Sequence, residues 1–268
     1  MTRAKLDFVA TDSTLTSSQK AEILKADNKD LSFAYTYWEL TSAGSTSREM
    51  LVYGKAHYEF NYTTFEGWAS GTVPTVFSAL PVLQIKDLRP SSKSHGQEVV
   101  LAEAMVIDTF LARRFGLLGD NEWESLAIQS FYSNIHYLRE RCARSTLFVA
   151  PELRKKGRDE FLNTTLVKFC EDHEHHLKAN GSNGHYVGDK LSLADIHLSN
   201  IIHFFTTVQW GKMALDCFQQ YESLWKVEET VKKVPAIAEW RQTDLYKGLV
   251  EKSIVFYTVY HAIPEDKP

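Results

Sequence analysis

Phe77-Ser-Ala-Leu-Pro-Val-Leu-Gln-Ile85 is the stretch on which the fold turns. Pro81 closes a loop that also holds Trp68 and Pro74, and Val82 to Ile85 then form a short apolar run of strand length. Upstream, Leu31-Ser-Phe-Ala-Tyr-Thr-Tyr-Trp38 alternates and is rich in aromatics, which predicts a strand, and the hydroxyl-rich Thr41-Ser-Ala-Gly-Ser-Thr-Ser47 breaks it. Arg48 to Gly54 reads as a short helix stopped by a glycine, and Tyr58 to Phe65 alternates as a second strand. Downstream, Val99-Val-Leu101 predicts a further short strand and Glu103 to Phe115 an apolar helix. The order is β-α-β, a loop, then β-β-α.

From Asn121 the period changes to that of a helix. Trp123, Leu126, Ala127, Phe131, Ile135 and Leu138 recur at three- and four-residue steps, and Phe161 to Leu177 repeats the pattern. The reading is therefore an α/β domain at 31–115, a linker at 116–120 and an all-helical domain at 121–268. Residues 1–30 are a polar extension, expected to be partly mobile, in which Gln19 to Ala26 makes at most a short helix that buries little. The stretch from Lys86 to Gln97, rich in serine with a proline and a glycine, reads as an exposed, mobile loop.

Thirty basic and 34 acidic residues in 268 give a formal charge of −4 with no long run of one sign, which argues against nucleic acid as a partner. The N-terminus lacks the apolar core of a signal peptide, and no stretch reaches the roughly 18 apolar residues of a membrane span. Cys142, Cys170 and Cys217 are odd in number and widely spaced, as expected of reduced thiols, so the sequons at Asn61 and Asn163 should stay unmodified. Asp172-His-Glu-His-His176 carries metal-ligand residue types, but His173 shares a helix face with Cys170 and Leu177. It reads as a core histidine, with Glu174 and His175 solvated and no metal bound.

A small β-α-β-β-α unit followed by helices resembles the cytosolic glutathione transferases, whose architecture is an α/β thioredoxin-like N-terminal domain plus an all-α C-terminal domain. Phe77 to Leu83 resembles that family's entry to strand three, where the proline follows a cis peptide bond and the backbone of the preceding residue, here Leu80, meets the cysteinyl part of glutathione. Val100-Leu-Ala-Glu-Ala-Met-Val-Ile107 is similar to the strand-to-helix element that receives the γ-glutamyl group. A helix N-terminus there suits the carboxylate, and an acidic side chain suits the ammonium. Glu103 fits, while Ala104 replaces the usual hydroxyl residue, at a cost of roughly 1.5–3 kcal/mol for one bond to a charged group. Gly184 to Ile196 resembles the buried helix start of the second domain, with Ser192 as N-cap, Asp195 completing a capping box and Leu191 as staple.

The resemblance implies that the chain binds glutathione and activates its thiol, since the thiolate is the nucleophile. Tyr37, Arg48, Trp68 and Pro81 fall in sigma-like register, so Tyr37 is expected to stabilise the thiolate and Trp68 to reach the glycyl end. Thr72 and Ser45 stand where basic anchors are common, leaving Arg48 and Lys55 as remote substitutes. Ser42 or Ser45 is the alternative activator, as in the serine-type zeta and theta classes, and Tyr35 shares the face of Tyr37. No cysteine precedes Cys142, so cysteine-type redox chemistry lacks a nucleophile at this site. Tyr132, Tyr137 and Arg141 are the expected electrophile-side residues, closed by Phe256 and Tyr257. The implied activity is glutathione transfer to a small hydrophobic electrophile by a cytoplasmic homodimer. The alternatives are a glutathione-dependent double-bond isomerase and a non-catalytic member.

Overall fold

The computed structural model describes residues 4–6, 8 and 15–264. The chain divides into two compact units, 1–111 and 112–268. In the first unit α1 (Ser17–Lys25) precedes β1 (Leu31–Trp38), α2 (Ser45–Tyr53), β2 (His57–Thr63), α3 (Phe65–Ala69), β3 (Val82–Asp87) and β4 (Glu98–Ala102), and α4 (Ala104–Arg114) runs across the division. The four strands form one sheet in the order β2-β1-β3-β4, with β2 parallel to β1 and the other pairs antiparallel. Alternation does what the sequence predicts on β1: Leu31, Phe33, Tyr35 and Tyr37 are buried on one face.

Two expectations for this unit need correction. The described part of the N-terminal extension is docked: α1 packs against β3 and β4, and Ile23 is fully buried, as is almost all of Leu15. Thr16 and Gln19 close a reciprocal capping box at its start. Each of those two apolar side chains contributes about 1.5–3 kcal/mol by leaving water, so this short helix buries more than its polarity suggests. Residues 1–3, 7 and 9–14 lie outside the described residues. The loop from 86 to 97 is likewise knit together, by Asp87. Its fully buried carboxylate accepts from Arg89 Nε and Nη2 at 2.9 and 2.8 Å, from Arg89 N–H at 2.9 Å and from Ser92 Oγ at 2.8 Å. Those bonds, Arg89 first, hold its carboxyl well below the usual carboxylate range.

The short α3 reads from sequence only as loop, because one turn is too brief for a period to show. Its signal is local: the Thr64 side chain accepts from Gly67 N–H.

The second unit is helical throughout: α5 (Glu122–Cys142), α6 (Pro151–Glu160), α7 (Val167–Ala179), α8 (Leu193–Phe205), α9 (Gly211–Phe218), α10 (Glu222–Val231), α11 (Pro235–Gln242) and α12 (Asp244–Val255). Wider π turns follow α5, α6 and α12. Helix α8 is the axis, buried on all sides but for His203 and packed against α5 and α10. Where the turn after α5 meets α6, a Cβ on Gly157 would lie 2.7 Å from the carbonyl carbon of Ser145, so the two backbones touch with no room for a side chain.

Candidate functional site

The sheet register brings the expected glutathione residues to one end of three adjacent strands. Thr36 pairs with Val82 and Val82 with Ala102, so one step further on Tyr37, still paired with Tyr62 of β2, lies at the same sheet end as Pro81 and Glu103. Trp38 pairs in parallel with Thr63, which sends α3 and Trp68 from the same end. The Leu80–Pro81 peptide bond is cis. Glu103 is exposed and holds a left-handed φ of 70°, an uncommon conformation for a side chain of this kind. Its carbonyl accepts from Val106 and Ile107 N–H at 3.1 and 3.0 Å, so it heads α4 with Ala104 as the first helical residue. The earliest N–H groups of a helix have no partner within it and carry partial positive charge, which suits a carboxylate at this place.

Tyr37 sits in a tight frame. A turn at Ser42–Gly44 separates β1 from α2, with Ser42 at φ 81°, and Gly44 packs directly on the Tyr37 ring. Arg48, 1% exposed, donates from Nη1 to the Leu40 carbonyl at 2.6 Å and from Nη2 to that of Trp38 at 2.8 Å. Its guanidinium carbon lies 5.3 Å from the Tyr37 ring centroid, 5.2 Å from Tyr62 and 6.0 Å from Tyr35. Burial lowers its pKa below the ordinary arginine value, while the three tyrosines oppose that shift. Beside it the Ser47 hydroxyl donates to Asp108, both side chains being buried.

This geometry revises three of the expected roles. Arg48 is committed to the strand-to-helix loop beneath the tyrosines and does not anchor a glycyl carboxylate. Lys55 precedes β2, at the opposite end of the parallel β1–β2 pair from Tyr37, so it does not do so either. Tyr35 is 1% exposed, and burial, then the Asp108 charge, push its phenol far above the usual range. It is a packing residue, stacked with Tyr37 at 6.4 Å between centroids. Trp68 is half-buried with its ring centroid 5.1 Å from that of Trp38. Gly44 and Ser47 were invisible as site residues, since small or polar types in a hydroxyl-rich loop read as solvent-facing, and so was Asp108, since a single acid within the apolar run of α4 reads as its exposed face.

In the helical unit Tyr137 and Arg141 line a cleft of about 550 Å3 with Glu140, Arg144, Glu160 and Phe161. The Arg141 guanidinium stands 5.8 Å from the Tyr137 ring centroid. Tyr132 does not join them: it is 1% exposed, on the face of α5 that carries Ile128 and Ile135, with its ring against His197. Aromatics at helical spacing fill cores as readily as pockets, and here the core took it.

Elsewhere the sequence was a closer guide. Ser192 and Asp195 form the capping box, and the buried Asp195 carboxylate also accepts from Tyr186 N–H at 2.9 Å. His173 is a core residue, its ring nitrogens 2.6 Å from Tyr186 Oη and 3.0 Å from Asn134 Oδ1, and burial drives its pKa down to about 3. Glu174 is not solvated as expected. It is buried and accepts from Ser223 N–H, Ser223 Oγ and Leu224 N–H at the start of α10. Burial alone would raise its carboxyl, but those bonds prevail and lower it. Among the described residues no three histidine, cysteine or acidic side chains gather as a metal site, and no helix is long and apolar enough to cross a membrane.

Residues 136–244 match the family model for the glutathione S-transferase C-terminal domain. Over that span the chain carries a glutathione S-transferase C-terminal domain. It is 26% identical over 215 residues to probable glutathione S-transferase 7 of Caenorhabditis elegans, covering 79% of this chain and 96% of that one. Probable glutathione S-transferase 5 of the same organism is 27% identical over 219 residues, with coverage of 80% and 97%. The structure of prostaglandin synthase D of Nilaparvata lugens superposes with a TM-score of 0.63 at 24% identity, covering 80% of this chain and 98% of that chain. That likeness extends the glutathione-transferase fold to both units.

Proposed function

We propose that this chain is a glutathione transferase in which Tyr37 donates its hydroxyl hydrogen to the sulfur of glutathione, so that the thiolate attacks an electrophile. The observation that carries the reading is the convergence of Tyr37, Leu80–Pro81 and Glu103–Ala104 at one sheet end. The names of the relatives support the activity, since both nematode proteins are called glutathione S-transferases. In this arrangement the Leu80 backbone meets the cysteinyl unit, the α4 N-terminus takes the γ-glutamyl carboxylate and Glu103 takes its ammonium. The indole of Trp68 serves the glycyl end. The sulfur then forms a bond to carbon, and the electron pair departs on the leaving group or moves into a conjugated system.

On the helical unit we assign Tyr137 and Arg141 to contact the electrophile. Their cleft carries two glutamates and a second arginine, which suits a substrate with a polar or charged group beside its apolar body. The enzyme acts as a cytoplasmic homodimer in this reading, in keeping with three cysteines that form no disulfide.

The test is the absorbance of bound glutathione thiolate against pH, followed by turnover of an aryl halide. Tyr37→Phe should raise the pKa of the bound thiol and lower kcat roughly 100-fold, the scale for removing one donor to a developing anion. Ser42→Ala should leave the thiol pKa in place. No glutathione binding at millimolar concentration, or a thiol pKa that moves only with Ser42→Ala, overturns the proposal.

A further inference from the structure

Residues 70–81 join α3, which carries Trp68, to β3, and they end on Leu80–Pro81, so the backbone that is to meet glutathione hangs on a loop with no helix or strand of its own. The start of the chain braces that loop. Lys5 and Thr75 form a parallel β-bridge. Leu6 N–H donates to the Thr75 carbonyl at 2.9 Å, Thr75 N–H to the Ala4 carbonyl at 3.2 Å and Ala4 N–H to the Gly71 carbonyl at 3.0 Å. Two side chains add to the contact: Lys5 Nζ donates to Ser78 Oγ at 2.6 Å, and the Phe8 ring meets that of Phe77 edge to face with centroids 5.8 Å apart. Phe8 is tied back in turn, its carbonyl accepting from Lys20 Nζ of α1 at 3.2 Å.

We propose that residues 4–6 and 8 are a positioning element of the glutathione site: they hold the 71–78 loop in the conformation that presents the Leu80 backbone to glutathione, and Lys5 is the side chain that fixes its last turn. That role rests on the transferase reading and deepens it.

Thr75 and Ser78 carry the effect. Thr75 is fully buried, and both of its backbone groups are bonded to the N-terminal segment. Its Oγ1 accepts from Ser78 N–H at 3.1 Å, so the bridge is passed on to Ser78. Ser78 holds a left-handed φ of 58°, which a residue with a side chain keeps only where its surroundings impose it. It is exposed, so the restraint comes from bonds and not from core packing: the Thr75 hydroxyl holds its backbone and the Lys5 ammonium holds its side chain. Leu80 follows two residues later. A loop released from these bonds samples other conformations, and only the fraction that keeps the present one binds at full strength. The loss falls on glutathione affinity and not on thiol chemistry, because Tyr37 stands on β1 in a separate frame made by Gly44 and Arg48.

Variants of the full chain open the contact while leaving α1 in place. Ala4→Pro combined with Leu6→Pro removes two of the donor N–H groups, Lys5→Met removes the donor to Ser78, and Lys5→Arg supplies one again. Hydrogen exchange of the ligand-free proteins reads the loop directly: the Thr75 and Ser78 amides should exchange faster in the proline variant, with the Leu83 and Ile85 amides of β3 unchanged as reference. Steady-state turnover of an aryl halide should then show the KM for glutathione raised roughly 10-fold, as when the competent loop conformation falls to about a tenth of the population. The kcat at saturating glutathione should be kept. Lys5→Met should raise KM less, and Lys5→Arg should restore it; Lys5 is exposed, so this pair does not depend on the proline variant folding. Loop amides that exchange no faster, a KM that Lys5→Met leaves at the wild-type value, or a loss confined to kcat would each overturn the proposal alone. A wild-type chain that binds no glutathione would overturn the transferase reading and this role with it.

Discussion

Gly44 touches the ring of Tyr37 across a gap that holds no side chain: a Cβ on Gly44 would stand 2.9 Å from Tyr37 Cγ. The Gly44 backbone has φ −82°, which any residue adopts, so the requirement for glycine is one of space and not of conformation. Gly44→Ala should therefore leave the loop intact and push the phenol aside. A displacement on this scale costs roughly 100-fold in rate when it moves a reacting group. Steady-state turnover of an aryl halide should show the loss in kcat, with thermal unfolding nearly unchanged.

Arg48 should matter more to stability than its distance from substrate suggests. Arg48→Met keeps the length of the side chain but strands the carbonyls of Trp38 and Leu40, for which the bonds are 2.8 and 2.6 Å. Losing partners for buried acceptors costs about 1–3 kcal/mol each. Arg48→Lys should rescue little, because one ammonium does not reproduce the planar fork that serves two carbonyls. Urea denaturation of the three proteins checks both statements.

Acid should weaken the fold well before carboxylates titrate. Burial lowers His173 to about 3, and burial with the neighbouring Arg139 charge lowers His136 to about 4. His197, fully buried against His136, is also lowered, by burial first. Unfolded histidines take up protons near 6.5, so between that pH and the folded values the unfolded chain binds more protons and gains on the folded one. Each unit of separation is worth about 1.4 kcal/mol per histidine. Stability should thus be full above pH 7 and fall steadily from pH 6.5 to pH 4. His136→Asn should flatten that slope in urea titrations.

The capping box should rank its two members unequally. Ser192→Ala removes the N-cap oxygen and should cost about 1 kcal/mol. Asp195→Asn should cost more, since Asp195 binds Ser192 N–H and Tyr186 N–H at 2.8 and 2.9 Å from a fully buried position. Equal losses in chemical denaturation would contradict that ranking.

What the sequence made legible follows from how loudly each residue type speaks. Strand alternation at Leu31 to Trp38 and the apolar run at Val82 set the sheet, and the capping residues at Ser192 announced α8. The roles that went unread belong to residues acting against type. Arg48 and Asp87 are charged side chains that the fold buries with partners, and no periodic pattern distinguishes them from surface charges. Ile23 is one apolar residue in a polar stretch, too little for a pattern, although it seats α1. Tyr132 shows the converse, where a helical aromatic stripe fits core and pocket equally and only packing decides.

The docking of α1 changes how this chain can be handled. A recombinant version trimmed to begin at Leu31, the natural choice from the strand pattern, would strip the cover from β3 and β4 and leave the seat of Ile23 open to water. Bare apolar surface of that kind draws molecules together. Poor yield from such a trimmed version would reflect a missing side of the core and not an unsound protein.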